Sequence, residues 1–158
     1  MAGSMKTTGI KELEAMLSKL GESAFKVGKA ALYEGAGVVA DAYTEAVGRI
    51  GVAARRWHNE PGGRLPTKEE RDSLHIGIAK FRDDGISEIN TLVGVEDGYT
   101  TVNGRKKATK LIARSINSGT SFMKKQPVFR RAASSSRTAA QDAMVRKADE
   151  MINELVIH

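Results

Sequence analysis

NSGTSFMKKQPVFRRAA, residues Asn117 to Ala133, is the stretch on which the reading of the fold turns. Ser118-Gly119-Thr120 breaks one helical pattern. Pro127 opens another, because the N–H that proline lacks has no partner in the first turn of a helix. From Phe129 onward, Ala132, Ala133, Ser136, Ala140, Ala143, Met144, Lys147, Met151 and Leu155 fall on one helical stripe. If continuous, this is a helix of about 29 residues, roughly 43 Å long. A helix longer than its own core needs something else to pack on. Phe129 is expected to anchor its start to the core, and the polar residues around it to form a basic loop.

Working back toward the N-terminus, Ile10, Leu13, Met16, Leu17 and Leu20 predict a short amphipathic helix, with Thr8 as N-cap and Gly21 as stop. A longer helix is predicted from about Glu22 to about Trp57. Its stripe is Ala24, Val27, Ala31, Val38, Ala42 and Val47, with Phe25, Leu32 and Val39 beside it. Gly28, Ala31, Gly35 and Ala42 are small enough to let another element approach closely. Residues 59–66 form an internal loop around Pro61-Gly62-Gly63, and Thr67 with Glu70 makes a capping box for a short helix ending near Leu74.

His75–Phe81 and Ile86–Val95 read as two strands joined by an Asp83-Asp84-Gly85 turn. The next segment allows two readings. Tyr99–Val102 is a third strand before the hairpin dipeptide Asn103-Gly104, or Asn103-Gly104 ends the sheet and a helix runs from about Arg105 to Ser118. The fold class is therefore α+β: a small antiparallel sheet packed by a long N-terminal and a long C-terminal helix. The length suits a single domain over residues 1–158, with residues 1–7 outside the folded part.

Charge is segregated. Ten basic residues lie between Gly98 and Gln141 with no Asp or Glu among them; the chain totals +6, so the remainder carries −4. Such a block is either a solvated face or a surface for an acidic partner, nucleic acid or protein. Lys106, Lys107, Lys110 and Arg114 are expected on one helical side, as phosphate contacts would be, but few aromatics accompany them for stacking on bases. The absence of cysteine excludes a disulfide scaffold, cysteine-ligated metal and thiol catalysis. No apolar run approaches the ~20 residues that span a bilayer.

Catalytic and cofactor motifs are not expected. The three histidines have no metal-ligand spacing, and His75 reads as structural. Gly35-Ala36-Gly37-Val38-Val39-Ala40 imitates a dinucleotide fingerprint, but the helical period runs through it and no strand precedes it. Asp83, Asp84, Glu88, Glu96 and Asp97 are explained by turn chemistry. The chain is read as a non-enzyme with no cofactor.

Short motifs along most of the chain resemble the tail-completion proteins of long-tailed, double-stranded DNA bacteriophages. They are Thr8-Gly9-Ile10-Lys11-Glu12-Leu13, the Ala/Gly-rich Lys29–Ala40, Gly63-Arg64-Leu65, Ser73-Leu74, Val93-Gly94, Ser118-Gly119-Thr120 and Gln126-Pro127-Val128-Phe129. The chain departs from the family in carrying Asn117-Ser118 before Gly119, and in placing Val128 between Pro127 and Phe129. The resemblance implies a structural protein of the virion neck. Such a protein forms a homo-oligomeric ring, often a hexamer, between head-completion or connector proteins and the tail tube, with DNA passing through the lumen. Phe122, Lys124, Lys125, Arg130 and Arg131 would then join Lys106, Lys107, Lys110 and Arg114 as a subunit or partner contact. The alternative is a small basic protein that binds nucleic acid without sequence preference and touches no membrane.

Overall fold

Helix α1 (Ile10–Gly48) runs unbroken in the computed structural model, which describes residues 10–54, 63–79, 82–83 and 89–156. The expected stop at Gly21 does not occur. A glycine inside a helix costs about 1 kcal/mol relative to alanine, which weakens a helix without ending it. At the other end α1 stops at Gly48 rather than near Trp57. Arg49 and Ile50 tighten the last turn by donating to the carbonyls of Ala46 and Val47. Outside partners then take over the backbone. The Gln126 carboxamide accepts from the Gly51 N–H at 2.8 Å and donates to the Gly51 carbonyl at 3.0 Å. The Ala53 N–H donates to the Pro66 carbonyl. Residues 1–9 and 55–62, which include the expected flexible start, Trp57 and most of the expected loop, lie outside the described residues.

The capping box is formed as the sequence predicts. The Glu70 N–H donates to Thr67 Oγ1 at 3.1 Å, the Thr67 N–H donates to Glu70 Oε2 at 3.0 Å, and α2 (Lys68–Asp72) begins there. The strands are shorter than expected. β1 (Ile76–Ile78) pairs antiparallel with β4 (Val93–Val95), Ile76 opposite Val95. β2 (Arg82–Asp83) pairs with β3 (Ile89–Asn90), Arg82 opposite Asn90. The register changes by one residue between these two ladders, which is why Ile86–Val95 does not alternate as one strand. Thr91 and Leu92 lie between β3 and β4; Thr91 Oγ1 donates to the Ala79 carbonyl and the Ala79 N–H to that of Leu92. The expected Asp84-Gly85 part of the turn lies outside the described residues.

Both readings of Asn103-Gly104 prove half right. β5 (Tyr99–Val102) pairs antiparallel with β6 (Arg105–Ala108) across a two-residue turn with φ of 54° at Asn103 and 73° at Gly104. Two successive positive φ values are what a tight hairpin of twisted strands demands. The helix comes afterwards, as α3 (Thr109–Ser118). This hairpin makes its own two-stranded ladder and does not extend β1–β4.

Helix α4 (Val128–Val156) has 29 residues, and the Pro127 carbonyl accepts from the Arg131 N–H in its first turn. It lies along α1 in the opposite direction, with Met144 against Gly35 and the Phe129 ring 5.4 Å from that of Tyr43. The seam is built from small side chains: Ala132, Ser136, Ala140 and Ala143 are buried on α4, and Ala36 and Ala46 on α1. Ala24, expected on the buried stripe, is exposed. The larger apolar core lies at one end of this helix pair. Ile50, Leu74, Ile112, Ala113, Ile116 and Met123 form it, with Val47, Val95, Val128 and Phe129 packed against it. None of the described helices is long and apolar enough to cross a membrane.

Candidate interaction surface

The stretch from Asn117 to Ala133 is a joint that collects four parts of the fold. Gly119 ends α3 with φ of 75°, its N–H donating to the Ser115 carbonyl. A Cβ there would fall 2.9 Å from Lys125 Cβ. Thr120 closes the next turn, its Oγ1 accepting from the Met123 N–H at 3.0 Å. Arg64 then pairs with the loop as an isolated parallel bridge to Met123: its N–H donates to the Phe122 carbonyl and its carbonyl accepts from the Lys124 N–H, both at 2.9 Å. Gly63, at φ of 104°, has the Phe122 carbonyl carbon 2.8 Å from where a Cβ would sit, so no side chain fits. The Gln126 N–H donates to the Ile116 carbonyl at 2.7 Å while its side chain holds Gly51.

Beside this joint lies a buried ionic knot. The Glu70 side chain is fully buried, and both its oxygens accept from the Arg64 guanidinium, at 2.7 and 2.8 Å. Lys107 Nζ adds a third bond at 3.1 Å. Burial alone would push this carboxyl up. The Arg64 fork, the Thr67 N–H and the Lys107 ammonium outweigh it and hold the group down at about 2. The Glu70 hydrogen bond in turn raises Arg64 further, against its partial desolvation.

The structure divides the expected contact residues. Lys106 and Lys107 are on β6, not on a helix with Lys110 and Arg114, because the Asn103-Gly104 turn returns the chain as a strand before α3 starts. Neighbours on a strand face opposite ways. Lys107 is spent on Glu70, and Lys106 lies 4.5 Å over the ring of Tyr99. Lys110 pairs with Asp97 at 2.7 Å. Arg114 is exposed on α3. Phe122 is 64% exposed and lines a cleft with Arg64, Val102, Asn103, Arg105 and Lys107. Phe129 packs against the core.

Lys125, Arg130 and Arg131 do converge. Together with Asn117, Ser118, Pro127 and Ser134 they line a cavity of about 470 Å³ between the end of α3 and the start of α4. The side chains of Asn117, Ser118 and Ser134 were not legible as part of a site. Asn117 and Ser118 read as helix-end residues, and no local signal marks Ser134 out from the serines beside it. The dinucleotide-like glycines lie inside α1, and among the described residues no group of His, Cys, Asp and Glu could hold a metal ion. Comparison with protein-family models, with curated protein sequences and with solved structures finds no match to this chain.

Proposed function

We propose that this chain is a structural subunit of the neck of a long-tailed, double-stranded DNA bacteriophage, working by geometry in an oligomeric ring that completes the tail and joins it to the head. The observation that supports assembly is apolar surface left outside the fold. Leu111 on α3 is 63% exposed, Phe122 on the joint 64%, and Val145, Ile152 and Leu155 on α4 are 59, 47 and 53% exposed. The three on α4 fall within a quarter turn of one another on one side of the helix. Large apolar groups gathered in this way mark contact surfaces. Their distribution over distant elements suits head-to-tail association, in which one face meets a different face of the neighbour.

The phage assignment rests on the resemblance, and the roles of its residues support it. Gly63, Arg64, Gly119, Thr120 and Phe129 are the residues that build the joint and seat α4. Native mass spectrometry of the purified protein, alone and mixed with tails from the same phage, tests the reading. Ring-sized oligomers, free or seated on tails, are expected. A strict monomer that leaves tails unbound overturns it.

A further inference from the structure

The cavity between α3 and α4 combines three features that each lack a partner. The first is charge. Lys125, Arg130 and Arg131 line it, and among the described residues no carboxylate pairs with any of them. Arg64 and Lys107 are committed to Glu70 and Lys110 to Asp97, while Arg114 is exposed on α3 outside the cavity lining. The second is the start of α4. The N-terminal end of a helix is its positive end and favours anions. Here the first turn contains no acid and carries Arg130 and Arg131 instead. Two cations at the positive end of a 29-residue helix repel it, and a bound anion would remove that repulsion. The third is Asn117, whose Oδ1 is the one buried side-chain polar atom among the described residues without a hydrogen-bond partner. The other end of the same amide, Nδ2, is the donor it can offer to a group in the cavity. Ser118 and Ser134 add hydroxyls to the wall.

We propose that this cavity is a binding site for a phosphoryl group. Three converging cations with hydroxyl and amide donors match the charge and the tetrahedral oxygens of phosphate, and the guanidinium fork suits it in particular. The cavity has the size of a small-molecule site, so it takes a phosphate together with what the phosphate is attached to. A phosphodiester of a nucleic-acid strand and free phosphate share this chemistry. The inference does not depend on ring assembly.

The test uses the full chain. Inorganic phosphate is titrated by calorimetry, and a short labelled duplex DNA by anisotropy at several salt concentrations. Arg130→Ala with Arg131→Ala should weaken binding at least about tenfold and flatten the salt slope by about 2, whereas Arg105→Ala with Lys106→Ala, an equal charge change away from the cavity, should alter it only by about twofold. Asn117→Asp should also weaken binding, because it adds a negative wall and leaves all three cations in place; circular dichroism verifies that each variant is folded. Binding of both probes identifies a phosphodiester site, and binding of phosphate alone a site for the free anion. The proposal is overturned if neither probe binds at low salt, or if the β6 control loses as much as the cavity variant.

Discussion

A carboxylate that is fully buried and still ionised, as Glu70 is, ties the stability of the fold to pH. Its pKa is lowered from 4.5 to about 2, so its contribution is complete above about 4.5 and is lost as the pH falls toward 2. The size is on the order of 3 kcal/mol. Urea unfolding should therefore show a midpoint that drops as the pH falls from about 4.5 toward 2, the range in which the carboxyl is protonated in the unfolded chain and still ionised in the folded one. Glu70→Gln should cost about 3 kcal/mol at pH 7, since it strands Arg64 and Lys107, and should flatten that acid slope. A variant as acid-sensitive as the parent would refute the assignment. Gly63 and Gly119 make a separate point about backbone. Gly63→Ala places a Cβ against the Phe122 and Met123 main chain at positive φ, which no side-chain movement relieves, and should cost about 1–3 kcal/mol in thermal unfolding. The capping half of this knot was legible, because Thr67 and Glu70 are three residues apart and bond locally. Its ionic half was not. Lys107 reaches Glu70 across 37 residues, and only the β5–β6 hairpin brings it there.

Among the elements, the pairing of α1 with α4 is where small side chains replace large ones. Alanines bury little area each, so the seam depends on close, continuous contact along both helices. Gly35 and Gly37 separate propensity from packing within a few residues. A Cβ on Gly37 meets nothing, and Gly37→Ala should stabilise the protein by up to about 1 kcal/mol through helix propensity alone. A Cβ on Gly35 would sit 2.6 Å from Met144 Cγ, and Gly35→Val should destabilise by about 1–3 kcal/mol because the Met144 side chain is displaced from the seam. Chemical denaturation of the two variants side by side reads the difference, and equal effects would show that the seam is loose. The extent of α4 was visible in the sequence, since Pro127 is a local signal and the stripe is periodic. The end of α1 was not. It is set by a side chain 75 residues away, Gln126, which takes both hydrogen bonds of Gly51.

At the scale of the molecule, basic charge gathers at the joint, while three exposed large apolar groups share one side of α4 and others are scattered over α1, the β3–β4 link, β5, α3 and the loop. The assembly reading belongs to the apolar surface. Val145→Asp with Ile152→Asp touches exposed positions and should leave the thermal midpoint nearly unchanged while abolishing oligomers in sedimentation velocity. Oligomers that persist in this variant would remove the outer face of α4 from the interface.

The α+β class, the capping box and the long last helix come from local spacing alone: turn residues, caps and a 3.6-residue period act within a few positions of themselves. The division of the ten basic residues was decided by three-dimensional pairing. Lys106, Lys107, Lys110 and Arg114 look equivalent along the chain, yet Lys106 lies over Tyr99, Lys107 on Glu70 and Lys110 on Asp97, while Arg114 stays exposed. Lys125, Arg130 and Arg131, no different in kind, come together at the lining of one cavity. Electrostatic attraction falls with distance in space and takes no account of distance in sequence, so which charges are neutralised is settled only when the folded chain sets them side by side.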